Sequence, residues 1–179
     1  TTGPHNLPQH MPAWAGRLAT MYPGNGGVLV ALLMHHVKLQ PGQALYLGAG
    51  NVHAYLGGTG FEVMSSSDNV VRAAFTQKNI NIDEFLNVAH LTPITSPLVE
   101  ATQIGNGVWQ YPVGTARFGT QRIDVSGSHE VRATHDAEIV VCTSGNAGAL
   151  TAGHAAVLRN GETISLSGNA TVFRTWGTR

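Results

Sequence analysis

From Val108 to Trp176 the chain repeats one pattern, a short apolar segment followed by a turn of Gly, Asn or Ser. The segments VWQYPV, ARFGTQRIDV, AEIVVCTSG, HAAVL, ETISL and TVFRTW recur at regular spacing. Short segments rich in Val, Ile, Thr and aromatic residues, punctuated this often, predict a β-sandwich or barrel. Only 11% of the 179 residues are charged, against roughly 25% in an average domain, and Gly and small polar residues fill the difference. The chain has apolar residues enough for a packed core, so disorder is excluded. Ten Lys and Arg balance ten Asp and Glu, which argues against nucleic acid or a basic membrane-surface patch as a partner. The single cysteine, Cys142, excludes an internal disulfide and a Cys-cluster zinc site. No apolar run is long enough for a membrane span and no signal segment opens the chain, so the expected location is cytoplasmic.

Upstream of Val108 the pattern is less uniform. Residues 1–10 hold Gly3, Pro4 and Pro8 and read as a tail. Pro12 suits the first turn of a helix, along which Trp14, Leu18 and Met21 or Tyr22 recur until Pro23-Gly24 stops it. The run GVLVALLMHHVKL from Gly27 has the length of a helix, but its Val and Leu content and the strand-like segments after it favour a strand. QALYL, GFEVM and NVVRAAF read as further strands, and Asp83 to Ala89 as one or two helical turns. The stretch 91–107, with two Pro and several Ser and Thr, reads as a linker. The expected organisation is therefore an N-terminal tail and short helix over 1–26, a β unit over 27–90, a linker over 91–107 and a second β unit over 108–179. The expected fold class is mainly β, with jelly-roll or barrel units, one short N-terminal helix and one short mid-chain helix.

The chemistry is concentrated in residues 40–80. Gly42 follows Pro41, Gly48-Ala49-Gly50 breaks the next strand, and His53 comes three residues later. A strand, a Gly-bent corner and then an inward His is one way a β-barrel presents an imidazole to zinc. The string PGQALYLGAGNVHAYLGGTGFEVMSSSDNVVRAAFTQK resembles the core motif of the type I phosphomannose isomerases, enzymes of the cupin superfamily. The matching residues are Pro41-Gly42, Ala44, Leu47, Ala49, His53-Ala54-Tyr55-Leu56, Glu62, Met64, Ser67-Asp68-Asn69-Val70, Arg72, Thr76 and Lys78. Ser65-Ser66 stands where the family has Ala-Asn, and Ala74-Phe75-Thr76-Gln77-Lys78 where it has Gly-Leu-Thr-Pro-Lys.

The resemblance implies a zinc-dependent interconversion of mannose 6-phosphate and fructose 6-phosphate through a cis-enediol. It implies that His53 is a zinc ligand, that Arg72 is the active-site arginine beside the reacting carbons, and that Tyr55, Glu62, Asp68 and Lys78 line the pocket, Lys78 being the local candidate for the phosphate. In the family a Gln-x-His pair and a Glu well upstream complete the zinc site. No Gln-x-His precedes Gln40, so the resemblance is to the C-terminal half of such an enzyme. The implied partners are a small phosphosugar and either the missing N-terminal half or a second copy. Two alternatives compete with the enzyme: a non-catalytic cupin module that binds a sugar phosphate, and a structural half that needs a partner segment.

Other eye-catching residues have plainer uses. His35 and His36 are neighbours whose side chains would point to opposite faces of a strand, so they are structural. His129, His135 and His154 lie near turns in solvated company, and Cys142 in AEIVVC is a small buried hydrophobe. GAGN and GGTG lack the Lys-Ser/Thr of a phosphate loop.

Overall fold

The computed structural model describes residues 11–67, 69–114 and 117–178. The chain divides into two compact units: one drawn from residues 11–38, 50–58 and 69–92, the other from 39–49, 59–67, 93–114 and 117–178.

The first unit carries three helices and largely irregular chain between them. Helix α1 (Ala13–Met21) starts after Pro12, buries Ala15 and Leu18, and ends where the Tyr22 N–H caps the Leu18 carbonyl at 2.8 Å. Helix α2 (Gly27–Leu32) lies where a strand was expected. Composition alone does not separate a buried strand from a short buried helix. The Asn25 side-chain oxygen accepts the N–H of Gly27, the first helical residue, at 2.9 Å, and so satisfies one of the free donors at the helix start. Close packing follows: a Cβ on Gly27 would lie 2.3 Å from the Ala74 Cβ. Helix α3 (Ile82–Val88) matches the expected helical turns, with Asn81 as its cap accepting the Glu84 N–H at 3.0 Å. NVVRAAF, expected as a strand, is irregular among its described residues. Phe75 takes φ +54°, a left-handed conformation that no strand can hold.

The second unit is the β body. Its strands are β1 (Ala44–Leu45), β2 (Leu98–Val99), β3 (Thr102–Gly105), β4 (Val108–Tyr111), β5 (Phe118–Arg132), β6 (Ala137–Ala147), β7 (Leu150–Thr151), β8 (Ala155–Arg159) and β9 (Thr163–Gly177). Strand β1 pairs only with β2; the rest form one antiparallel sheet in the order β3-β4-β5-β9-β6-β7, with β8 also on β6. QALYL thus contributes two strand residues, and GFEVM none. The stretch 91–107 supplies both β2 and β3, because Leu98 and Val99 find β1 to pair with and Thr102, Gln103 and Gly105 find β4. ETISL and TVFRTW, separate in the sequence pattern, are one continuous strand, β9. Gly168 joins them. It sits at φ +126° opposite Gly127, and a Cβ there would lie 2.6 Å from the Asn146 carbonyl oxygen, so the long strands can bend past each other without breaking the ladder.

The core follows from alternation. Ile123 and Val125 on β5, Val140 and Cys142 on β6, and Leu166, Ala170 and Val172 on β9 point inward and form one buried cluster. Each Val, Leu or Ile among them contributes about 1.5–3 kcal/mol by leaving water. Among the described residues no helix is long and apolar enough to cross a membrane.

Candidate functional site

The motif residues sit on loops held by the elements just described. His53 and Tyr55 lie on an irregular loop that leaves a short bridge, Asn51 to His90, reinforced by the His90 N–H donating to the Gly50 carbonyl at 2.8 Å. The strand that was to aim His53 inward ends at Leu45, and His53 is exposed rather than lodged in a barrel. The pairing of β1 with β2 ends where the Tyr46 N–H donates to the Pro97 carbonyl at 2.9 Å, and the run Gly48-Ala49-Gly50 then turns the chain away, Gly50 at φ +79°. The Tyr55 ring packs edge-on to the His53 ring with centroids 5.9 Å apart, and Tyr55 is 75% exposed, so its place is on a surface and not in a core.

The backbone beside His53 fixes its tautomer. Its Nδ1 stands 2.9 Å from the Asn51 carbonyl oxygen, which can only accept. The neutral ring therefore carries its proton on Nδ1 and leaves the Nε2 lone pair for a metal, the arrangement by which a backbone carbonyl fixes a ligand's tautomer. Among the described residues, however, no three of His, Cys, Asp and Glu come together as a metal set. Among the described residues the donor set thus falls short of the three protein ligands that a zinc site needs, with His53 fitting one of them by its free Nε2.

Arg72 is half-buried on the second motif loop, its Nη1 donating to the Val70 carbonyl at 3.3 Å. That loop is pressed against the helices: the Phe75 ring meets Tyr22 at 5.2 Å between centroids, beside the Gly27–Ala74 approach. Lys78 is exposed, with its backbone N–H on the Thr76 hydroxyl at 3.1 Å. His53, Tyr55, Arg72 and Lys78 all fall in the helical unit, whereas Glu62 falls in the β unit. Glu62 follows Phe61, whose ring stacks on Phe173 of β9 at 4.7 Å. Asp68 lies outside the described residues.

No family model matches the chain. Curated relatives do. The chain is 30% identical over 167 residues to the mannose-6-phosphate isomerase of Salmonella typhimurium, which spans 90% of this chain and 41% of that protein. It is 32% identical to the Escherichia coli enzyme of the same name over 85% of this chain and 39% of that protein. The Aspergillus fumigatus enzyme is 33% identical, over 85% and 36%. Among solved structures, that of the Salmonella mannose 6-phosphate isomerase bound to fructose 6-phosphate and zinc superposes with a TM-score of 0.72 at 27% identity, covering 96% of this chain and 47% of that one. The chain belongs with the C-terminal half of the mannose-6-phosphate isomerases. It spans less than half the length of the relatives it matches. The mainly β, cupin-class fold expected from the sequence is the fold found.

Beside these isomerases, two groups missed in the sequence gain meaning. Arg17 on α1 donates from Nη2 to the Leu56 carbonyl at 2.5 Å, on the loop that carries His53 and Tyr55. Nothing in the local pattern of α1 singles out that arginine, since its partner lies 39 residues away. Glu138, at the start of β6, is fully buried and ion-paired with Arg174. Its neighbour His135, read as surface, is stacked on Trp176 at 4.8 Å and bonded to the same carboxylate. His36, by contrast, has the structural use expected of it, stacked on Trp14 at 5.3 Å.

Proposed function

We propose that this chain is the C-terminal part of an enzyme interconverting mannose 6-phosphate and fructose 6-phosphate. The observation that carries this reading is that the loops bearing His53 and Arg72 belong to one unit, the first tied to Arg17 of α1 and the second packed on Tyr22, just past α1, and on Gly27 of α2. The reaction moves a proton between C1 and C2 through a cis-enediol, and negative charge grows on the oxygens of those carbons. Arg72 stabilises that charge; a fixed guanidinium at the site of a developing enediolate is worth several kcal/mol, roughly a hundredfold or more in rate. Lys78 is the candidate group for the phosphate, and Tyr55, exposed on the His53 loop, the candidate for the sugar. His53 would hold a zinc through Nε2, with the remaining ligands drawn from the segment that the relatives have upstream, and the metal would polarise the oxygens of the reacting carbons.

That segment is also the partner. Leu29 of α2 and Leu33 just past it are 67% and 89% exposed, and Ile82 and Leu86 of α3 are exposed as well, apolar surface of the kind that marks an interaction site. A role in carbohydrate metabolism and a cytoplasmic location go with the reading, and the one cysteine is buried and unpaired as a thiol.

A second reading, binding of a sugar phosphate without catalysis, is favoured by the single ligand that the described residues offer. A coupled isomerase assay separates the two. The chain is mixed with zinc and the upstream segment of a relative, beside His53→Ala and Arg72→Ala. Turnover lost in both variants is the expected result. Fructose 6-phosphate binding without turnover in any mixture overturns the enzyme in favour of the binding module.

A further inference from the structure

We infer that Arg17 is a positioning residue that clamps the His53–Leu56 loop onto helix α1; the inference rests on the proposed roles of His53 and Tyr55. The loop has no regular structure of its own. Its beginning is tied down by the Asn51–His90 bridge and the His90-to-Gly50 hydrogen bond, and His53 is held back on the Asn51 carbonyl. Its far end has a different tether. The Arg17 guanidinium reaches from α1 to the Leu56 carbonyl, and a Cβ on Gly57 would lie 3.4 Å from the same Nη2, so the guanidinium rests against the loop backbone.

Arg17 is a stiff anchor because its neighbours are. Leu18, the next residue, and Ala15, two residues before, are buried under α1. Trp14 on the same helix stacks on His36. A cationic donor on a backbone carbonyl is about twice as strong as a neutral one. The clamp therefore fixes the distance between the loop's two ends, and with it the direction in which the His53 and Tyr55 rings project.

The test is limited chymotrypsin digestion of the 179-residue chain, following cleavage after Tyr55, which is exposed enough to be cut once the loop can move. Arg17→Ala should speed cleavage after Tyr55 about tenfold, the loss of one charged hydrogen bond, while cleavage after Phe118 in the β body keeps its rate. Arg17→Lys, which can still donate to the Leu56 carbonyl, should recover most of the protection. Unchanged cleavage after Tyr55 in Arg17→Ala overturns the clamp, and so does an equal rise after Phe118, which would mean global loosening. A lysine variant as labile as the alanine variant overturns it too. None of these readouts needs turnover, so the clamp can fail while the isomerase reading stands, and the reverse.

Discussion

Glu138 offers the sharpest test of how the β body is held. Its carboxylate is fully buried, and both oxygens are engaged. Oε1 accepts the backbone N–H groups of Thr134 at 2.8 Å and His135 at 3.0 Å, and Nη2 of Arg174 at 2.9 Å; Oε2 takes the Arg174 Nε–H. Arg174 also donates to the Arg132 carbonyl at 3.1 Å and lies over the Trp176 ring. One carboxylate thus ties the β5–β6 turn to the last strand. Burial by itself would raise its pKa, but the Arg174 guanidinium and the two backbone donors outweigh it and hold the carboxyl at about 2, below the ordinary 4.5.

A carboxylate with a depressed pKa stabilises the fold above its ordinary pKa and loses that contribution as pH falls through the depressed value. The window here runs from about 4.5 down to about 2, and the difference is worth about 3 kcal/mol at 1.36 kcal/mol per unit. Glu138→Gln removes the charge and turns an NH2 donor toward the Arg174 Nε–H, leaving the guanidinium, 15% exposed, without its counter-charge. Breaking a buried pair in this way costs about 3–5 kcal/mol. The assay is urea unfolding of both proteins between pH 7 and pH 2, followed by tryptophan fluorescence. Other carboxylates titrate equally in both and cancel in the difference. The gap between the proteins should be widest at pH 7 and shrink by about 3 kcal/mol toward pH 2. A gap that does not change with pH, or a variant within about 0.5 kcal/mol of wild type at pH 7, refutes the assignment of stability to this ion pair.

Three further outcomes are expected. Gly168→Ala should destabilise by at least about 1–3 kcal/mol in the same unfolding assay, because the residue must hold φ +126° with its Cβ 2.6 Å from the Asn146 carbonyl oxygen. Tyr111→Phe removes the hydroxyl that donates to the Gly42 carbonyl at 2.8 Å, and should cost about 1 kcal/mol with no change in far-ultraviolet circular dichroism. Asn81→Ala should cost about 1 kcal/mol by removing the cap of α3 and should speed amide exchange at Glu84, whose N–H the Asn81 side chain accepts.

The β body and the starts of α1 and α3 were legible in local pattern. Alternation along ARFGTQRIDV and AEIVVC is a local signal that survives whatever the chain packs against, and Ile123, Val125, Val140 and Cys142 are buried as that alternation requires. Pro12 before α1 and the acidic first turn of α3 are equally local. The motif string around His53 was also legible, because it is a matter of residue identity and spacing. What the tertiary structure decided is everything that depends on a partner far along the chain. Gly27, at the start of α2, lies against Ala74 and Phe75 far along the chain, and Val28 beside it is buried. The apolar run is otherwise neutral between helix and strand. Strands β2 and β3 exist because they find edges to pair with, β9 is continuous because Gly168 can bend opposite Gly127, and His53 stands on a loop because β1 has only two paired residues. Arg17 and Glu138 carry no local mark at all: their partners Leu56 and Arg174 lie 39 and 36 residues away, and only the folded chain brings those charges to the groups that give them a function.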